Sequence, residues 1–148
     1  MVCALAVALG PALVRGGGRG DHVEYVGGTV AELRRSSGGS IDVTGAQYFR
    51  FESHQAVVEV PYERINVLEY GQNASPRYIL APLSPLFLLS KKRTHFLTVG
   101  YEDDSGRQQA LVFRVGKGDI RALLASLEAR TGRKVEFQDN EARKGGKG

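Results

Sequence analysis

Three histidines, His22, His54 and His95, are the side chains best suited to proton transfer or metal ligation. They are scattered, and none stands at metal-ligand spacing from another histidine or a carboxylate. Single histidines at strand ends are usually solvated, and that is the expectation for these. Glu102-Asp103-Asp104 offers oxygen ligands but lacks the alternating acids of a calcium loop, so it reads as a solvated hairpin tip. Ser84 and Ser90 neighbour prolines and lysines, with no strand-to-helix elbow to activate them, and the single cysteine, Cys3, sits in an apolar leader. Gly16-Gly-Gly-Arg-Gly20 has a linker's composition and lacks the Lys-Ser/Thr ending of a phosphate loop. Asn73-Ala-Ser75 matches a glycosylation acceptor, a short pattern that is common by chance and is followed here by Pro76. The expectation is a chain without catalytic, metal-binding or cofactor-binding residues, the alternative being an enzyme whose site the sequence does not reveal.

One stretch suits recognition better. Tyr78–Leu89 (YILAPLSPLFLL) is strongly apolar, yet Pro82 and Pro85 forbid a continuous central strand or an uninterrupted helix. Lys91, Lys92 and Arg93 follow almost directly. An apolar loop carrying Leu86 and Phe87 with a basic collar suits a partner groove or an anionic membrane surface. The same residues also read as a buried strand whose basic neighbours solvate the turn. Both readings stand at this point.

The elements that would position these residues are short strands separated by turn chemistry. His22–Leu33 reads as extended, with a bulge or bend at Gly27-Gly28, and Ser36–Ser40 as a turn. Ile41–Val43 follows. Phe49 and Phe51 alternate with Tyr48, Arg50 and Glu52, a period of two that puts both rings on one face. Ala56–Val60 completes a hairpin with that run, and Ile65–Tyr70 is the next strand. His95–Tyr101 and Gln109–Val115 form the clearest hairpin, turned by Asp103-Asp-Ser-Gly106. The period then changes: Ile120, Leu123, Leu124 and Leu127 predict a helix over about residues 119–131, with Asp119 at its start and Gly132 at its end. This helix should lie over Phe49, Phe51, Leu111 and Phe113.

About seven antiparallel strands closed by one C-terminal helix, with Val58–Ile65 stepping from strand to strand and the last hairpin feeding Gly118–Leu124, resembles the pleckstrin-homology-like (PH-like, GRAM-like) superfold. The resemblance covers roughly residues 22–137. It implies a mainly β sandwich or partly open barrel and a non-catalytic binding module, for a protein partner first and a membrane lipid second. Lipid-binding members carry spaced Lys/Arg residues across the first two strands; the nearest candidates here are Arg34 and Arg35 in the first turn, with Arg50 beyond.

Composition sets the outer limits. The chain has 148 residues, 42% hydrophobic and 24% charged, which fits one globular domain. Its net charge of +4 comes from the ends, because residues 21–142 hold fifteen of the twenty basic residues and all sixteen acids. A neutral folded part has no broad field for phosphates, so nucleic acid is not an expected partner. Val2–Val14 is uncharged and too short to span a bilayer, but it has the length of a signal-peptide apolar stretch. The expected organisation is a leader and linker over 1–20, a domain over 21–138 and a charged, Gly-rich disordered tail over 139–148. Export to a secreted or periplasmic location is expected, with the cytoplasm as the alternative.

Overall fold

Phe49 and Phe51 are fully buried while Arg50 and Glu52 face water, the outcome that two-residue alternation demands. His95–Gly100 and Ala110–Phe113, by contrast, are buried without a break in a computed structural model, which describes residues 19–72, 94–138, 143, 144 and 146, the first four as backbone alone. The strands are β1 (Arg19–Gly28), β2 (Ser37–Asp42), β3 (Tyr48–Ser53) and β4 (Val57–Pro61), then β5 (Ile65–Gly71), β6 (His95–Glu102), β7 (Gln108–Val115) and β8 (Glu136–Phe137). A single 3₁₀ turn, Tyr62–Arg64, links β4 to β5, and helix α1 spans Ile120–Thr131.

The strand order is β4-β3-β2-β1-β7-β6-β5-β8, so among the described residues the sheet is open and β4 and β8 form its ends. Two antiparallel meanders, β1–β4 and β5–β7, are joined through β1, which pairs with β2 on one side and β7 on the other. The architecture is thus mainly β, with Ile120–Thr131 as the one helix of full length among the described residues, as expected. β8 departs from the antiparallel expectation: after the helix the chain returns beside β5 and pairs with it in parallel for two residues. The predicted irregularity at Gly27-Gly28 is present. The β1–β7 register shifts between Tyr25 and Gly27, and Gly28 adopts φ 147°, where a Cβ would stand 2.2 Å from the Ala110 carbonyl oxygen.

Ser36–Ser40 needs correction as a turn. Only Ser36, with φ 61°, belongs to it; Ser37, Gly38 and Gly39 pair with β1, and Gly39 and Ser40 with β3, because inter-strand bonding outweighs the local turn preference of serine and glycine. Ser37 Oγ instead bonds back to the Arg34 carbonyl at 2.6 Å.

The core gathers the apolar faces of both meanders and the helix. Tyr25, Phe49, Phe51 and Phe113 form its aromatic centre, with the Phe51 and Phe113 centroids 4.9 Å apart. Burial pushes the Tyr25 phenol up to about 12, and the neighbouring Tyr101 adds to the shift. Ile120, Leu123, Leu124 and Leu127 are the buried stripe of α1 and belong to the same core as Phe49, Phe51, Leu111 and Phe113. Gly132 ends the helix at φ 67° and returns its N–H to the Glu128 carbonyl. Asp119 holds the N-cap position but makes no side-chain cap bond there. Of the tail, Arg143, Lys144 and Gly146 have helical backbone, and Gly146 lies against the Phe137 ring and Leu124. Residues 1–18 and 73–93 lie outside the described residues, and with them the leader, Tyr78–Leu89, Leu86, Phe87, Lys91, Lys92 and Arg93.

Candidate functional site

Antiparallel registers line up residues from distant parts of the chain across five strands. One row runs Ser53, Gly39, Val23, Val115, His95. The row beside it runs Gly38, Glu24, Arg114, Phe96. Around these rows opens a groove of about 1260 Å³, bordered further by Ser36, Ser40, the β3–β4 turn at Glu52–His54, Thr94 and the loop Gly116-Lys117.

Glycines shape its floor. A Cβ on Gly38 would meet nothing within 4 Å, so this position opens onto free space. At Gly39 a Cβ would come within 2.8 Å of the Phe51 ring, so bare backbone there lets the aromatic core pack up to β2. Among the described lining residues only Val23 and Val115 carry aliphatic side chains. The rest of the wall offers hydroxyls, carboxylates, the imidazoles of His54 and His95, and cations.

The charges alternate. Arg114 forms an ion pair with Glu24 across β1 and β7, half-exposed at the groove. Glu52 is tied to Arg50, which also bonds Glu59 at 3.1 Å. Lys117 stands exposed at the rim. Two acids and two bases line one groove, so its field is locally structured and close to neutral overall.

The histidines take different roles. His54 is exposed on the β3–β4 turn. His95, expected to be solvated, is 6% exposed. Its register opposite Val115 sends the ring to the inner face, where Tyr70 Oη and His95 Nδ1 hydrogen-bond at 2.5 Å and the rings stack at 5.9 Å. The side chain of His22 lies outside the described residues. At the hairpin tip, Asp103 accepts the Ser105 and Arg107 N–H groups at 2.9 Å and the Arg107 and Gln109 side chains. The Arg107 backbone bond, followed by Gln109, holds its carboxyl down at about 2. Asp104 bonds Arg64, so the tip is latched to the 3₁₀ turn. No group of three or more His, Cys, Asp or Glu side chains capable of holding a metal forms among the described residues.

Arg34 and Arg35 are exposed on the β1–β2 turn, beside Ser36 but outside the groove lining, and Arg50 faces outward on β3. Sequence reading did not find the groove. Glu24, Gly38, Gly39 and Arg114 carry no motif, and only the β2–β1–β7 registers bring them together. Compared with known proteins, the chain matches no family model, and no curated protein matches it.

Proposed function

We propose that this domain is a non-catalytic binding module that takes an extended segment of a protein partner in the groove across β3, β2, β1 and β7. The observation that carries the reading is the groove itself: about 1260 Å³, open above Gly38, and walled by serine hydroxyls and the Glu24–Arg114 pair. Pockets for small molecules are mostly apolar with a few convergent polar groups, whereas this lining is the reverse. An extended peptide carries a donor and an acceptor at every residue, which suits a polar wall. The two meanders joined at β1–β7, with a C-terminal helix on the core, support a PH-like architecture for the module. Fold alone selects no ligand.

Panning a displayed random-peptide library tests the proposal. Peptides enriched on the wild type should lose about tenfold or more in affinity to Gly38→Trp, which fills the groove, and to Arg114→Ala. Thermal stability of Gly38→Trp should not fall below that of the wild type. Enriched peptides that bind Gly38→Trp as tightly as the wild type would overturn the reading. The peripheral-membrane alternative rests on Tyr78–Leu89 and on Lys91, Lys92 and Arg93. Co-sedimentation with anionic vesicles that is lost in the Lys91/Lys92/Arg93→Ala variant would replace the peptide reading with that one.

A further inference from the structure

Among the described residues β4 ends the sheet, and no strand of them lies beside its outer edge. Antiparallel partners alternate between pairs that exchange hydrogen bonds and pairs that do not. The Ser53 N–H donates to the Ala56 carbonyl at 2.9 Å, and the Tyr62 N–H donates to the Gln47 carbonyl at 3.0 Å. With Phe51 opposite Val58 and Phe49 opposite Val60, these bonds place Ala56, Val58, Val60 and Tyr62 in the set bonded to β3. Val57 and Glu59 therefore turn their N–H and C=O groups away from β3, toward the open edge. Pro61 adds only a carbonyl, since it has no N–H. The Val57 side chain is 49% exposed, while Val58, on the core side, is half-buried.

We propose that this edge pairs with the same edge of a second copy of the chain, antiparallel, about a two-fold axis through Val58. In that register Val57 exchanges both hydrogen bonds with Glu59 of the partner subunit, and Glu59 does the same with Val57 of the partner subunit. Both outward donors of each edge are used. Val58 meets its own copy on the apolar side, and each Glu59 faces a valine while keeping Arg50 as its ion pair. A register centred on Glu59 would set two carboxylates opposite each other and waste a position on Pro61. One centred on Val57 would need residue 55, which belongs to the bend. Sequence and hydrogen-bond phase together favour a single self-complementary pairing. The contact is one five-residue strand. It is smaller than the ~1,000 Å² of a stable complex, so the dimer is weak and forms at high concentration.

Sedimentation velocity between about 10 μM and about 1 mM should show a monomer–dimer equilibrium. Glu59→Pro removes an outward N–H and leaves the β3 bonds intact. It should weaken the dimer about tenfold or more, with no fall in the thermal midpoint of the monomer. In a Cys3→Ser background, Val58→Cys should form an intermolecular disulfide on oxidation, because non-bonded antiparallel pairs bring Cα atoms to about 4.5 Å. Val57→Cys, off the axis, should cross-link much more slowly. A chain that stays monomeric at the highest concentration, a dimer indifferent to Glu59→Pro, or equal cross-linking at both positions would each overturn the proposal.

Discussion

Gly38 and Gly39 are neighbours in β2, yet replacing each with alanine should change stability in opposite directions. Neither has a positive φ, so only space decides. At Gly38 the methyl group would project into the groove and meet nothing within 4 Å. The gain is then the reduced freedom of the unfolded chain, about 0.4–1 kcal/mol. At Gly39 the methyl would stand 2.3 Å from the Glu52 carbonyl oxygen and 2.8 Å from Phe51 Cε2. A backbone carbonyl has no rotamer to escape into, so β3 must move off β2 while the Phe51 ring is pressed against Phe113. Overpacking of this kind costs about 1–3 kcal/mol, which exceeds the entropic gain, and the net expectation is a loss of about 1 kcal/mol. Urea denaturation of the wild type and both variants would read this as shifts of the midpoint in opposite directions at constant slope. Equal shifts for the two variants, or a Gly39→Ala protein as stable as the wild type, would refute the close β2–β3 approach on which the groove floor depends.

Leu124→Ala should destabilise by about 2–5 kcal/mol, since Leu124 is 3% exposed in the core under α1. A loss under 1 kcal/mol in the same denaturation assay would mean that the helix does not close the core. Tyr62→Phe should stabilise by about 1 kcal/mol, because the Tyr62 hydroxyl is buried with no hydrogen-bond partner among the described residues. A destabilisation of that size would show that the hydroxyl is satisfied. Asp103 has a folded pKa of about 2, below its usual 3.8, so the stability it contributes is present above about pH 4 and is lost as pH falls toward 2. Asp103→Asn should therefore be less stable than the wild type at pH 7 and approach it in denaturation curves near pH 2; a constant gap across that range would refute the linkage.

Legibility followed local pattern. Alternation exposed the Phe49/Phe51 face and the β6–β7 hairpin, and the i, i+3, i+4, i+7 spacing exposed the buried stripe of α1. These signals lie within one element, where side-chain period alone sets the face. Ser37–Ser40 was misread because its strand is held by two flanking neighbours that its own composition does not reveal. β8 is two residues long and is ordered by β5, some 65 positions earlier in the chain. His95 is buried by register, a property of the pairing with β7 and not of the residue. The groove needed the registers from β3 through β2, β1 and β7 to β6 at once, which is why no segment of the sequence announced it.

The joining role of β1 also governs when the fold can be completed. Its first partner, β2, emerges from the ribosome a few residues later, and β1–β4 can meander together locally. Its second partner, β7, lies more than 80 residues downstream, and every β1–β7 pair spans that distance. Closing so long a loop is entropically slow, and contacts of such separation lower folding rates. Until then Tyr25 lacks Phe113, and the aromatic centre is missing one of its four rings. The domain therefore finishes late, in the step where its last hairpin docks on its first strand. The outward row Gly38, Glu24, Arg114 comes into existence only then, so an incompletely synthesised chain presents no groove to a partner.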